Sequence, residues 1–172
     1  MNDLANKTAI ITGASRGIGA ATAKKLASMG INTAVIYAKN RAAADEICEE
    51  CKKEYKVKAE SYQLDVADFE ESKSTVDRII QDFGSVELLV NNAGITRDAL
   101  IIRMTEADFD AVIAANLKGV FNMIRHCMPY FLRNRFGRIV NISSVAGLMG
   151  NAGQINYSAS KARNYEIGRA HV

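Results

Sequence analysis

The chain has 172 residues, of which 48% are hydrophobic and 24% are charged, a composition typical of a globular domain large enough to bury a core. The net charge of +3 comes from 22 basic and 19 acidic residues spread along the chain, which argues against a nucleic-acid-binding protein. No apolar stretch approaches the roughly 18 residues that a membrane-spanning helix needs, and no signal-peptide pattern opens the sequence. We therefore expect a cytoplasmic protein with no membrane partner.

Short apolar runs alternate with longer segments of helical periodicity. The apolar runs predict strands at 8–12, 33–37, 57–64, 87–90 and 137–142. Helices are predicted at 17–29, 42–55, 68–83, 105–133 and from 156 onward, with Asp68 and Thr105 as capping residues. Apolar strands separated by helices indicate a parallel sheet that is covered on both faces. The sequence thus predicts one α/β domain over residues 1–172, with a doubly wound Rossmann-type sheet that binds ligands beyond the carboxyl ends of its strands.

The three cysteines do not indicate a disulfide framework or a metal site. Their number is odd and no secretory signal precedes them. Cys48 and Cys51 form a CxxC motif, but no second Cys or His pair with zinc-like spacing follows. We interpret them as reduced thiols on an amphipathic helix and predict no metal.

A glycine-rich turn, TGASRGIG at 12–19, joins the first predicted strand to the first predicted helix. Glycines there permit a tight turn and allow backbone N–H groups to approach a pyrophosphate at the helix N-terminus. The spacing Gly-x-x-x-Gly-x-Gly differs from the commonest dinucleotide fingerprint, and such a turn can also be purely structural. Its place between a strand and a helix favours dinucleotide binding.

The residues after the second predicted strand bear on the choice of cofactor. An acidic residue there would hold the ribose 2′-hydroxyl of NAD, but residues 37–41 include no carboxylate. Arg16, Lys39 and Arg41 could instead meet a 2′-phosphate, which favours NADP. The alternative is that Lys39 and Arg41 are solvated loop charges.

Tyr157 and Lys161 are four residues apart, so they share one face of a helix. A phenol is a poor acid–base catalyst at neutral pH, but an ammonium one turn away would stabilise the phenolate. Alternatively, Tyr157 is an amphipathic core residue and Lys161 a surface cation.

Two further polar residues are candidates for the same site. Ser144 follows the fifth predicted strand, where its hydroxyl could bond a substrate carbonyl as negative charge builds on the oxygen, and Ser143 is its rival. Asn116 interrupts the apolar run 111–121, where an Asn is usually a packing compromise or exposed.

Taken together, these motifs resemble the short-chain dehydrogenase/reductase family in order and spacing, from about residue 5 to residue 162. They are the glycine turn, the NNAG sequence at 91–94, Asn116, Ser144, and the YSASK sequence at 157–161. Within that family, the segments 91–104 and 147–154 look like those of bacterial and plastid 3-oxoacyl-[acyl-carrier-protein] reductases.

The resemblance implies NADPH-dependent reduction of a 3-oxoacyl thioester, carried on acyl carrier protein, in fatty acid biosynthesis. It implies a catalytic tetrad of Asn116, Ser144, Tyr157 and Lys161, with Asn116 holding a water that connects Lys161 to solvent. The serine of the family lies thirteen residues before the tyrosine, which selects Ser144. The implied cofactor-binding residues are Gly13, Ser15, Arg16, Gly17, Ile18, Gly19, Asp65, Val66, Asn92, Tyr157 and Lys161. Asp65 can also be interpreted as a helix-capping loop residue.

Family members are longer than this chain, and residues 163–172 do not continue the expected pattern. We therefore expect a C-terminal truncation with an atypical tail, an uncovered flank of the fifth strand, and weak stability. The full-length form is expected to be a homotetramer. Two alternatives remain: another short-chain alcohol, sugar or steroid dehydrogenase, and an inactive nucleotide-binding fragment.

Overall fold

The computed structural model describes residues 4–167, in which five parallel strands form one sheet. The strand order is β3-β2-β1-β4-β5, so the chain crosses from one half of the sheet to the other between β3 and β4. The strands are β1 (Thr8–Ile11), β2 (Asn32–Tyr37), β3 (Ala59–Gln63), β4 (Leu88–Asn91) and β5 (Arg138–Asn141). The predicted strands and the doubly wound α/β fold are confirmed.

Helices connect successive strands and also follow the last strand. Two of them begin at the predicted capping residues. Asp68 Oδ1 accepts a hydrogen bond from Glu71 N at 2.8 Å, and Thr105 Oγ1 accepts one from Asp108 N at 3.1 Å. The helices are α1 (Gly17–Ala27), α2 (Arg41–Tyr55), α3 (Phe69–Phe83), α4 (Glu106–Ile113), α5 (Gly119–Asn134), α6 (Ala146–Met149) and α7 (Ile155–Ile167).

The core lies on both faces of the sheet because successive strand residues point in opposite directions. Ile11 and Val35 pack with the small residues of α1 and the cysteines of α2 on one face. Their neighbours Ile10 and Ala34 pack against α3 and α5 on the other face. Strands buried on both faces explain the continuous apolar runs in the sequence.

The cysteines are free and buried within this core, which agrees with their interpretation as reduced thiols. Burial raises the pKa of Cys48 to about 12 and that of Cys127 to about 12, and it also raises the pKa of Cys51. Within residues 4–167, no group of three or more Cys, His, Asp or Glu side chains is arranged to hold a metal ion.

The structure departs from the predicted elements in three places. The predicted helix 105–133 is two helices, α4 and α5, joined by a π-helical turn at Ala114–Lys118. Helix α1 ends at Ala27, two residues before the predicted end, and the short helix α6 was not predicted. A single π-turn keeps the chain helical and shifts the repeat by only one residue. The 3.6-residue periodicity therefore predicted one continuous helix here.

β5 lies at one edge of the sheet, and Val140 on it is 50% exposed, as expected for an uncovered fifth strand. Residues 163–167 belong to α7, while residues 168–172 of the predicted atypical tail lie outside the described residues. In the part of the chain that the structure describes, none of the helices has the length and hydropathy to cross a bilayer.

Candidate functional site

The carboxyl ends of β1, β4 and β5 lie around one cavity of about 560 Å³. This is the edge at which ligands bind in open parallel sheets, next to the point where the strand order reverses. Six predicted site residues line the cavity: Arg16, Ile18, Asn92, Ser144, Tyr157 and Lys161. The other lining residues are Gly94, Ile95, Thr96, Arg97, Ile142 and Ser143.

The turn between β1 and α1 requires glycine for steric reasons. Gly13 has φ +63°, and a Cβ added there would lie 2.8 Å from Ala93 Cα. A Cβ at Gly19 would lie 2.6 Å from the carbonyl oxygen of Gly13. Gly17 has φ +57°, but its missing Cβ would point into open space. The turn is therefore packed against β4 on one side and open on the other.

Hydrogen bonds of Asn92 and Thr12 connect this turn to the end of β4. Thr12 Oγ1 accepts hydrogen bonds from the backbone N–H groups of Asn92 and Ala93, each at 3.0 Å. Asn92 Nδ2 donates to the carbonyl oxygens of Thr12 at 2.9 Å and Gly13 at 3.1 Å. The Asn92 amide group thus supports the glycine turn, a role that the sequence analysis did not predict.

Helix α1 begins without a capping side chain. Arg16 precedes its first residue and makes no side-chain capping bond, and its first turn has no acidic residue. The first N–H groups of a helix have no intrahelical partner and carry partial positive charge, so they suit an anion. Arg16 and Ile18 are exposed beside them, and Ser15 is partly buried.

The residues that follow β2 and β3 lie outside the cavity. Lys39 and Arg41 are exposed after β2, and Arg41 Nε lies 3.4 Å from Asp45 Oδ2. Asp65 is exposed after β3, and its Oδ1 accepts a hydrogen bond from Ala67 N at 3.0 Å. Val66 is buried. The structure therefore places Asp65 and Val66 in a loop at the same end of the sheet but not among the residues that line the cavity.

Tyr157 and Lys161 lie together on α7, one turn apart. Lys161 Nζ is 5.9 Å from the centre of the Tyr157 ring and donates a hydrogen bond to the carbonyl oxygen of Ile142 at 2.8 Å. The Lys161 side chain is almost completely buried, and within residues 4–167 no carboxylate forms a salt bridge with it. Burial lowers the pKa of the Lys161 ammonium because removing the charge from water disfavours it.

The two serines after β5 make different hydrogen bonds. Ser143 Oγ donates to the carbonyl oxygen of Lys161 at 2.7 Å, so its proton is already used. Ser144 Oγ accepts a bond from Ala146 N at 3.2 Å, and its proton remains available to a ligand in the cavity. This difference supports Ser144 over Ser143 as the donor to a substrate oxygen.

Asn116 lies behind the cavity wall, on the π-turn. Its Oδ1 accepts from Ile95 N at 2.7 Å, and its Nδ2 donates to the Ile95 carbonyl oxygen at 3.0 Å and to Ser160 Oγ at 3.1 Å. A Cβ at Gly94 would lie 3.2 Å from Asn116 Oδ1 and 3.5 Å from Lys161 Nζ. Asn116 is thus a neighbour of Lys161 but does not itself line the cavity.

Comparison with known proteins finds relatives along most of the chain. A 3-oxoacyl-[acyl-carrier-protein] reductase of Staphylococcus aureus is 50% identical over 156 residues, which cover 91% of this chain and 63% of that protein. The Thermotoga maritima reductase of the same name is 46% identical over 159 residues, covering 92% of this chain and 64% of its own length. The chain thus spans somewhat less than two thirds of these relatives.

A solved structure, that of NAD+-bound xylitol dehydrogenase, superposes with a TM-score of 0.90 and is 32% identical. The match covers 96% of this chain and 63% of that one. The family model described as short chain dehydrogenase matches residues 7–165. The chain therefore belongs to the short-chain dehydrogenase family.

Proposed function

We propose that this protein is an NADP-dependent oxidoreductase that reduces a 3-oxoacyl thioester on acyl carrier protein to the 3-hydroxyacyl thioester, a reaction of fatty acid biosynthesis. One observation carries the proposal: the Ser144 hydroxyl, the Tyr157 phenol and the Lys161 ammonium line one cavity beside the glycine turn. The identity of 50% to a reductase of this name supports the choice of substrate.

The glycine turn fits a dinucleotide. The open space beside Gly17 leaves room for a pyrophosphate. The uncapped start of α1 leaves backbone N–H groups that can donate hydrogen bonds to it. In this proposal Gly13, Ser15, Arg16, Gly17, Ile18 and Gly19 hold the phosphates, and Asp65 and Val66 lie toward the adenine. Asn92 supports the turn, and Tyr157 and Lys161 hold the nicotinamide ribose.

The side chains of the chain then have distinct roles. The residues named above would hold a reduced nicotinamide, which would supply the hydride for the ketone carbon. Tyr157 gives its phenolic proton to the ketone oxygen. The Ser144 hydroxyl donates a hydrogen bond to the same oxygen as its negative charge grows. The Lys161 ammonium stabilises the phenolate that remains. Asn116, next to Lys161, holds the water through which the proton is replaced.

The preference for NADP rests on charge at the end of β2. Lys39 and Arg41 are exposed there, and Arg16 is exposed at the cavity. Cations at these positions suit a ribose 2′-phosphate. Because the xylitol dehydrogenase relative is bound to NAD+, both cofactors belong in the assay.

We also propose that the described residues form one dinucleotide-binding domain and that the full-length protein is a homotetramer. Support for association comes from the exposed face of α5, where Phe121 is 51% exposed and Leu132 is 62% exposed. Apolar side chains grouped on one helix face are usual at subunit interfaces.

The test is a Tyr157→Phe variant assayed with an acetoacetyl thioester and either NADPH or NADH. We expect the unmodified protein to prefer NADPH. The variant should lose about a hundredfold or more of turnover because its general acid is gone. Binding of NADPH and the melting transition serve as controls, since the glycine turn is untouched. Retained turnover in a folded variant would refute the assignment, and faster oxidation of a polyol or steroid would favour a different dehydrogenase.

A further inference from the structure

Residues 95–97 form one wall of the cavity. The segment 95–99 has no regular secondary structure, yet hydrogen bonds hold it along its length. At its start, Asn116 bonds both the N–H and the carbonyl group of Ile95. At its end, Ala99 N donates to the carbonyl oxygen of Gly153 at 2.9 Å. An irregular segment that is bonded at both ends keeps a defined shape without the support of a helix or a sheet.

The middle of the segment is held by Asn156, which immediately precedes Tyr157. Asn156 Nδ2 donates to the carbonyl oxygen of Arg97 at 3.0 Å and to that of Asp108 at 3.4 Å. Its Oδ1 accepts from Tyr157 N at 2.7 Å. The side chain is completely buried. One amide group therefore connects the cavity wall, helix α4 and the backbone of Tyr157.

These bonds matter because Tyr157 lies in the first turn of α7. The first N–H groups of a helix have no intrahelical acceptor, and Asn156 Oδ1 supplies one to Tyr157. Removing the buried amide would leave the Tyr157 N–H and the Arg97 carbonyl without these partners. The start of α7 would then be free to move relative to the wall at 95–97.

An outer bond joins the same two segments at the rim of the cavity. Gln154 Nε2 donates to Asp98 Oδ2 at 2.9 Å, and Asn151 Nδ2 donates to Gln154 Oε1 at 2.9 Å. Asp98 and Asn151 are exposed, so water weakens this outer bond relative to the buried one.

We propose that Asn156 is a positioning residue, which fixes the Tyr157 phenol relative to the cavity wall formed by Ile95, Thr96 and Arg97. This inference rests on the proposed reductase function. A displacement of about 1 Å between reacting groups can reduce a rate about a hundredfold, so the loss should fall on kcat. Dinucleotide binding at the glycine turn should change little because the Asn156 side chain bonds Arg97, Asp108 and Tyr157, which lie outside that turn.

The test compares Asn156→Ala with Asn32→Ala. Asn32 is a matched control because its side chain also bridges two segments, donating to Asn6 O at 3.4 Å and accepting from Lys58 N at 2.9 Å. It starts β2, at the end of the sheet away from the cavity. We expect kcat to fall about tenfold to a hundredfold in Asn156→Ala, with a much smaller change in the NADPH Kd because the glycine turn is untouched. A fall no larger than that of Asn32→Ala, or a parallel loss of NADPH binding, would overturn the proposal.

If Asn156→Ala does not fold, Asn156→Ser decides the question, because a serine hydroxyl can still accept a hydrogen bond at the start of α7 but is too short to reach the Arg97 carbonyl oxygen. A lower kcat with unchanged NADPH affinity would support the proposal, and an unchanged kcat would overturn it. Hydrogen exchange separates this inference from the proposed function, because Asn156→Ala should accelerate exchange at residues 95–99 and 157–161 whether or not the protein turns over the thioester. Unchanged exchange there would also overturn it. Absence of turnover in the unmodified protein would count against the reductase function alone.

Discussion

At the scale of single residues, the serines after β5 illustrate how adjacent hydroxyl groups acquire different roles. Ser143 uses its proton to hold the backbone of Lys161, and the Lys161 ammonium is held in turn by the carbonyl group of Ile142. Among the described residues, the Ser144 hydroxyl accepts a hydrogen bond from Ala146 N and donates none. The three consecutive residues 142–144 thus hold Lys161 at its backbone and at its ammonium group, and they leave one hydroxyl proton for a ligand in the cavity.

We predict that Ser144→Ala lowers kcat by about a hundredfold or more, because a donor to the developing oxyanion is removed. Ser143→Ala should lower kcat less than Ser144→Ala does. It should lower the free energy of unfolding more, since it leaves the Lys161 carbonyl group without this bond. Steady-state kinetics and thermal melting of both variants test this division. Equal kinetic losses in the two variants would contradict it.

At the scale of elements, the β1–α1 turn is held in place by β4 rather than by its own local structure. Thr12 accepts three hydrogen bonds of 2.9–3.0 Å there: two from Asn92 and one from the Ala93 N–H. Gly19 then brings α1 so close that a single methyl group would meet backbone atoms. The geometry of the glycine turn is therefore a property of two strands and a helix together.

We predict that Gly19→Ala lowers the free energy of unfolding by about 1–3 kcal/mol, because the contacting backbone atoms cannot move aside easily. It should also weaken NADPH binding, since the turn must shift. Gly84→Ala is the matched control: it places a Cβ in open space at φ +85°, away from the cavity. That variant should be destabilised by backbone strain of about 1–2 kcal/mol and should bind NADPH normally. Normal NADPH binding by Gly19→Ala would disprove the expectation.

At the scale of the whole molecule, the β5 edge of the sheet is one of the places where apolar side chains are exposed. Val140 on β5 is 50% exposed, and the nearby Val145, Leu148 and Met149 are 67%, 81% and 82% exposed. An edge strand has unpaired backbone N–H and C=O groups, and with apolar neighbours it offers a surface for association.

We therefore predict that the 172-residue protein self-associates in a concentration-dependent way. Val140→Lys should shift sedimentation velocity profiles toward the monomer, because a charge on an edge strand opposes pairing. Gln63→Lys adds the same charge to β3, at the opposite edge of the sheet, and should have less effect. A protein that stays monomeric and melts cooperatively at high temperature would contradict this prediction.

The sequence by itself determined most of the elements and indicated the residues of the candidate site. Continuous apolar runs predicted β1, β2 and β4, because strands buried on both faces have no polar face. The edge strands β3 and β5 contain polar residues and are partly exposed. Asp68 and Thr105 marked helix starts because capping is a local interaction between residues three apart. The glycine spacing is likewise local and predicted a dinucleotide site. The i, i+4 spacing of Tyr157 and Lys161 predicted a catalytic pair on one helix face.

Only the tertiary structure decided how these parts are joined. The bond between Thr12 and Asn92 spans 80 residues, the one between Asn116 and Ser160 spans 44, and the one between Asn156 and Arg97 spans 59. Such contacts leave no periodic signal, because they depend on which strands become neighbours in the sheet. For the same reason, the sequence could not distinguish the hydrogen bonds of Ser143 from those of Ser144, nor show that a buried amide beside Tyr157 holds the wall of the cavity.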